Sequence, residues 1–366
     1  MIGKIVLENL RNRPMRSLLT ILLIAVPVTL ILTLVGLTQG MLSDAQNRQR
    51  GVGADLMIRA SNVKALASAS GITIPAAMVD LVERQPHVKV AMGVINDRVE
   101  VIMFLSGIDV AKFNRMTGGF TFDRGGPLQG PDDILVDRLY AEEHHLQVGQ
   151  IIGVVNHDWR VAGVIEPGKM ARLAVRIGTL QELDAATGRV GQIYVKVDDP
   201  ANIDLVKKEL RELLKGAYPV DTMAEITAMY NVDQIPAIKP FTVVVEAIGV
   251  IIGIAVVWLS MYMVVLQRTR EIGILKALGA SKTFILGIIQ IEATLLGVGG
   301  TILGIIFSFG AQWLIHTLVP ASFQMAIVFA WWPRVAAITL ATANLGALQP
   351  GLTAARQDPI EALAYE

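Results

Sequence analysis

The chain contains no cysteine. Disulfides and thiol nucleophiles are thereby excluded, and any aqueous domain must be held by its core alone. It also lacks Gly-x-x-x-x-Gly-Lys-Ser/Thr, so a nucleotide site of that kind must come from another polypeptide. Gly-x-Ser-x-Gly and His-Glu-x-x-His are missing too. Histidine is scarce: His87, His144, His145, His157 and His316. Glu142-Glu143-His144-His145 invites a metal reading, but position 140 is Tyr, so the inverted zinc pattern fails and an exposed helix end is expected. No dense basic patch points to nucleic acid. Neither a catalytic constellation nor a metal site is expected in this chain.

Charge is scarce as well, and its gaps are long. Hydrophobic residues make up 53% and charged residues 17%, with mean hydropathy +0.52. That is too apolar for an ordinary soluble protein and too polar for a bundle of membrane helices alone. No Lys, Arg, Asp or Glu falls between Arg16 and Asp44; similar runs follow Glu246, lie between Glu292 and Arg334, and lie between Arg334 and Arg356. About 20 apolar helical residues span a bilayer. The fold class expected is therefore a membrane α-helical protein with four transmembrane helices and an α/β extracytoplasmic domain inserted between helices 1 and 2.

The few charges in the apolar parts set an orientation. Lys4, Arg11, Arg13 and Arg16 precede the first span. Arg268, Arg270, Lys276 and Lys282 lie between spans two and three, and Arg356 follows span four. Only Arg334 falls between spans three and four. By the positive-inside rule both termini and the 267–282 loop are cytoplasmic. The large domain is then outside, and the protein is a multi-pass protein of the plasma (inner) membrane. The first apolar segment is too long for a signal peptide and shows no small-residue cleavage site, so it is read as a retained anchor.

The expected organisation follows. Residues 1–16 form a cytoplasmic amphipathic helix, with Ile2, Ile5, Val6 and Leu10 on one side, or else a disordered basic flank that only sets orientation. Residues 17–42 are the first span; at 1.5 Å per residue its uncharged run reaches about 40 Å, and 43–50 can continue the helix as a stalk. Residues 43–240 are the outer α/β domain. Spans two, three and four are 241–266, 283–314 and 335–354, with a cytoplasmic segment at 267–282, a short outer loop at 315–334 and a cytoplasmic tail at 355–366. Gly249-x-x-x-Gly253 and Gly300-x-x-x-Gly304 offer close packing faces, read as internal contacts before a dimer contact.

Within the outer block, Asp55–Arg59, Val99–Leu105, Asp133–Val136, Ile151–Val155, Arg160–Ile165 and Gln192–Val197 read as strands. Pro75–Glu83, Asp137–His145, Ile203–Lys215 and Thr222–Met229 read as helices. Two lobes are expected, one from the chain ends around 52–95 and 190–225 and one inserted between them. Glu246 lies near the outer end of span two. Glu292 lies about ten residues into span three, where it can mark a substrate path, a subunit contact or interfacial solvation.

The segment Gln267–Lys282 joins two spans. Ile274, Leu275 and Leu278 make an apolar stripe, and Arg268, Arg270 and Lys276 supply charge. Such a helix can seat in a groove of a cytoplasmic partner and pass its motion to both spans. The same pattern also suits a helix resting on headgroups.

Here a resemblance enters. Arg-Glu-Ile-Gly-Ile-Leu-Lys-Ala-Leu-Gly-Ala-Ser at 270–281 is similar to the signature of MacB/FtsX-type (LolC/DevC-like) ABC transporter permeases, in which this segment is the coupling helix that docks on the ATPase. The tail Ala355-Arg356-Gln357-Asp358-Pro359-Ile360-Glu361-Ala362-Leu363 resembles the family's C-terminal pattern. Leu10–Leu19, Gly53-Ala54-Asp55, and Asp133-Ile134-Leu135-Val136 with Leu146-Gln147-Val148-Gly149-Gln150 add weaker likeness. Where the family often carries a basic run before the tail, this chain has Gln349-Pro350-Gly351-Leu352-Thr353-Ala354-Ala355, and Ala364 stands where arginine is common.

The resemblance implies a MacB-like periplasmic core for the outer domain and a permease subunit that is not itself an enzyme. It implies two copies of an ABC ATPase, which would bind the ATP and Mg, and a second copy of the permease. A periplasmic adaptor or other extracytoplasmic partner, membrane lipid and no nucleic acid complete the expected partners. The function implied is mechanotransmission: ATP hydrolysis by the partner moves the outer domain in export or extraction of a substrate. A signalling or scaffold role, regulating an outer enzyme as FtsX-like relatives do, is the alternative. The expected ATPase-docking residues are Arg268, Arg270, Glu271, Gly273, Ile274, Lys276, Leu278, Gly279, Pro359 and Glu361.

Overall fold

A computed structural model describes residues 14–60, 73–99, 103–229, 238–319 and 324–356. The amphipathic helix expected at 1–16 therefore falls almost wholly outside the described residues. The chain divides into two compact units. One comprises Met1–Gln39, Ala237–Ile315 and Met325–Glu366; the other comprises Gly40–Pro236 and His316–Gln324.

The first unit is helical. Helix α1 (Pro14–Gly51) contributes its residues 14–39. Among the described residues, four helices are long and apolar enough to cross a membrane: Ser17–Gly51, Glu246–Gln267, Lys282–Leu318 and Trp331–Arg356. Glycines let them approach closely. A methyl at Gly304 would meet Val28 Cγ1 at 2.5 Å and the Ala25 carbonyl oxygen at 2.9 Å, and one at Gly300 would meet Ile24 Cγ2 at 2.4 Å. One at Gly253 would meet Thr342 Cγ2 at 2.9 Å. Both small-residue motifs thus serve packing within the protomer. Thr29 Oγ1 donates to the Ala25 carbonyl of its own helix at 2.8 Å, with the Gly304 carbonyl across the helix pair at 3.1 Å, so this polar group in the bundle is satisfied.

The second unit is α/β. After α1 come β1 (Leu56–Arg59), β2 (Ile74–Pro75), α2 (Ala77–Glu83), β3 (Val88–Arg98), β4 (Phe104–Ile108), α3 (Val110–Thr117) and β5 (Phe122–Gly125). Then follow β6 (Asp133–Asp137), α4 (Arg138–Glu143), β7 (Ile151–Val154), β8 (His157–Ile165), β9 (Leu173–Arg176) and α5 (Ile177–Leu183). The unit closes with β10 (Arg189–Val190), β11 (Gln192–Val197), α6 (Ile203–Leu213), β12 (Val220–Thr222) and α7 (Met223–Met229). Asp109 caps α3 by accepting from the amides of Ala111 and Lys112, and Gly118 ends it at φ 77°, a conformation glycine adopts without strain.

Two lobes were expected, one from the chain ends and one inserted between them; separate apolar clusters gather these two sets of segments, but one ten-stranded sheet runs through both. Its order is β12-β1-β11-β3-β4-β9-β6-β8-β5, with β7 also on β8. Of the expected strand Val99–Leu105, only Phe104 and Leu105 are strand, in β4; residues 100–102 lie outside the described residues. Val99 N–H donates to the Met103 carbonyl at 2.9 Å, and β3 pairs antiparallel with β4 through Asp97↔Leu105 and Arg98↔Phe104. That hairpin stitches the strands from the chain ends to the inserted ones. A common core runs across the join, with Met92 and Tyr194 from one half and Leu135 and Ile165 from the other, beneath Phe113 and Met116 of α3. The expected helix at 75–83 begins only at Ala77, because Ile74–Pro75 pairs with β10.

The last turns of α1 are seated in this unit by buried ions. Arg48 pairs with Asp44 at 2.9 Å and with Asp137 at 2.7 Å, and Arg172 pairs with Asp44 at 2.9 Å and Asp137 at 3.2 Å. Burial, with the charge of Arg48 beside it, pushes the Arg172 guanidinium below its ordinary value against the pull of Asp137 and Asp44. Asp137 also accepts from the Tyr140 amide and so caps α4. On the other side Tyr194 O–H donates to Gln49 Oε1 at 2.9 Å, and Gln46 Nε2 donates to the Thr227 carbonyl at 3.1 Å.

Candidate functional site

The remaining elements of the helical unit are α8 (Ile238–Gln267), α9 (Thr269–Ala277), α10 (Lys282–Leu318) and α11 (Trp331–Arg356). The sequence singled out α9 and its flanks. Arg268 stands at the joint, with φ −120° and ψ 15°, where α8 stops and α9 begins. Leu278 ends α9, and Gly279 turns the chain at φ 91° toward α10. Ser281 Oγ accepts from the Phe284 amide at 3.2 Å and so opens α10.

One side of α9 is packed. Thr269, Ile272 and Gly273 are buried. Ile272 joins Val264 and Val265 of α8, Ile285 and Ile289 of α10, and Ala354 and Ala355 of α11 in one apolar cluster. The opposite side is open. Ile274 is 46% exposed and Leu278 is 81% exposed; Arg270, Glu271 and Gly279 are exposed too, while Leu275 is half-buried. Residues four apart lie on one helix face, so Ile274 and Leu278 form a bare apolar pair rimmed by Arg270 and Glu271.

Two residues expected on the docking face point elsewhere. Arg268 has a side chain 18% exposed; its Nε donates to Glu271 Oε2 at 2.9 Å, and its Nη1 lies 3.6 Å from Glu292 Oε2 on α10. Lys276 Nζ donates to the Ala355 carbonyl at 3.1 Å, near the C-terminal end of α11, where a cation is favoured. Position in sequence gave no hint of the contacts with Glu292 and Ala355, which lie in α10 and α11. Pro359 and Glu361 lie outside the described residues. Glu246 is half-buried on α8, whereas Glu292 is fully buried.

The other chemistry weighed in the sequence lies apart from this segment. His144 follows the last turn of α4 and packs on Tyr140 with ring centroids 4.2 Å apart. Arg334 lies over the Trp331 ring at 4.7 Å. That is an aromatic and cationic pairing suited to a membrane interface.

Comparison with known proteins gives the family. Residues 17–213 match the MacB-like periplasmic core domain, and residues 243–348 match the FtsX-like permease C-terminal domain. An uncharacterized ABC transporter permease of Methanocaldococcus jannaschii is 24% identical over 98% of this chain and 96% of its own length. A macrolide export ATP-binding/permease protein MacB from Acinetobacter baylyi is 24% identical over 98% of this chain but only 59% of its own length. The chain therefore spans a little more than half of that relative. An ABC transporter permease of Bacillus subtilis is 40% identical over 38% of this chain and 31% of its own length.

Proposed function

The chain belongs to the MacB/FtsX-type ABC transporter permeases, and from that premise we propose that it couples ATP hydrolysis in a separate ATPase to movement of its own α/β domain outside the membrane. The termini and α9 then face the cytoplasm, and the domain of residues 43–240 lies on the other side. Two permease copies pair with two ATPase subunits, because each coupling helix needs one docking groove. ATP and Mg belong to those subunits. This chain contributes binding and motion rather than catalysis.

The observation that carries the reading is the bare Ile274 and Leu278 pair on a helix whose other side is buried. An apolar pair beside Arg270 and Glu271 suits a protein groove with a charged rim, in the helix-in-groove manner. Closure of the ATPases presses on α9. In this reading the displacement is carried outward through α1, whose residues from Gly40 onward belong to the α/β unit. The cargo is exported or extracted on that side, where an adaptor or other extracytoplasmic partner receives it, and lipid surrounds the helical unit.

The test is the double variant Ile274→Asp with Leu278→Asp in the full permease. Its ATPase should no longer co-purify, and stimulation of ATP hydrolysis by the permease should vanish. Unchanged assembly together with unchanged stimulation would overturn the docking role.

A further inference from the structure

We propose that Glu292 is a positioning residue for the coupling helix, holding Arg268 at the joint so that a push on α9 is delivered to α10 as well as to α8. The inference rests on the docking reading above and adds to it a route for the force.

Glu292 sits among the most apolar residues of the bundle. It is fully buried, one turn from Ile289 and next to Ala293, both members of the cluster that joins α8, α9, α10 and α11. A carboxylate there is costly, and an apolar residue of similar volume would stabilise the bundle at least as well. Its pairing gives the side chain a use. Arg268 Nη1 lies 3.6 Å from Glu292 Oε2, while Arg268 Nε donates to Glu271 at the first turn of α9. One guanidinium thus grips a residue of α9 and a residue of α10 from the hinge between α8 and α9. At the far end, Lys276 donates to the Ala355 carbonyl of α11. The coupling helix is strapped at its start to α10 and at its end to α11. Its displacement therefore moves those helices instead of only flexing the α8 joint.

The strap differs from the docking face in kind. Ile274 and Leu278 are exposed and meet the partner; Glu292 is buried and cannot reach it. Removing the Glu292 charge should leave docking intact and impair transmission.

The experiment uses the full permease with its ATPase in lipid vesicles. Glu292→Gln should keep ATPase co-purification within twofold of the parent and lower permease-stimulated ATP hydrolysis at least fivefold. The chain has no cysteine, so Ala277→Cys accepts one nitroxide, and its spectrum should show greater mobility in the Glu292→Gln background. Arg268→Glu should lose stimulation, and the charge exchange Arg268→Glu with Glu292→Arg should restore at least half of it and return the immobile spectrum.

Parent-like stimulation and spectrum in Glu292→Gln would overturn the proposal, as would an exchange no better than Arg268→Glu alone. If Glu292→Gln fails to accumulate, the exchange decides: recovered protein with recovered stimulation supports the strap, and recovered protein without it refutes the strap. Ile274→Asp with Leu278→Asp, run in parallel, separates the two readings. If that pair abolishes co-purification while Glu292→Gln behaves as the parent, only the positioning role fails. If that pair leaves both assembly and stimulation unchanged, docking itself fails, and the strap with it.

Discussion

Arg48 Nη2 lies 2.7 Å from Asp137 Oδ2, and both side chains are almost wholly buried. The pair joins the end of the longest helix in the chain to the last residue of a central strand. Asp44 and Arg172 complete a neutral four-charge group. Such a group adds little net stability over an apolar equivalent, but removing one member strands the others in a dry site.

Arg48→Met should therefore destabilise the protein by about 3 kcal/mol, the low end for breaking a buried pair, because Arg172 still faces Asp137. Arg48→Lys should recover only part of that loss, since an ammonium cannot bridge Asp44 and Asp137 as a guanidinium does. Thermal unfolding of the purified full-length protein, followed by tryptophan fluorescence, measures both.

Asp133 gives a pH signature. Burial pushes its carboxyl up, but hydrogen bonds from the Gly130 amide, Arg160 and the Gln129 amide outweigh that and hold it below its ordinary value of 3.8. A carboxyl whose folded value is depressed contributes stability above the unfolded value, and that contribution is lost as pH falls through the folded one. Asp133→Asn should lower the melting temperature at pH 7, and the gap to the parent should narrow below about pH 4. Melting curves from pH 7 to pH 3 test this.

Gly304→Val should disrupt the seam between α1 and α10. The added carbons meet Val28 and a backbone carbonyl, which cannot rotate away, and overpacking of this kind costs about 1–3 kcal/mol. Gly310→Ala in the same helix has open space around the added methyl and should be neutral. Melting temperatures of the two variants in detergent compare them directly.

Much of this was readable in the residues, for identifiable reasons. Charge-free runs such as Ser17–Leu37 admit one physical solution, a helix in lipid, so the helical unit followed from composition. The strands Gln192–Val197 and Asp133–Asp137 carried dense β-branched sequence and were found. Strand β3 was missed because Val88–Arg98 mixes polar and apolar residues without clean alternation. Its 11 residues carry the join between the two halves of the sheet, which the two-lobe reading did not foresee.

In the candidate site, the pattern marked α9 but could not sort its cations. Arg270 and Lys276 look equivalent in sequence. Only the fold turns Lys276 to the end of α11 and leaves Arg270 in the open. Likewise nothing in the sequence links Glu292 to Arg268. Arg268, 24 positions earlier, becomes its neighbour because α8, α9 and α10 fold back on one another.

The most direct measurement is a site-specific cross-link from Leu278, the most exposed large apolar residue of the segment at 81%. With Leu278→Cys as the sole thiol, a short cross-linker in native membranes should join the permease to a nucleotide-hydrolysing subunit, and the thiol should be reachable only from the cytoplasmic side. Labelling by a membrane-impermeant maleimide added outside, or cross-linked products that contain no nucleotide-hydrolysing polypeptide, would contradict the account.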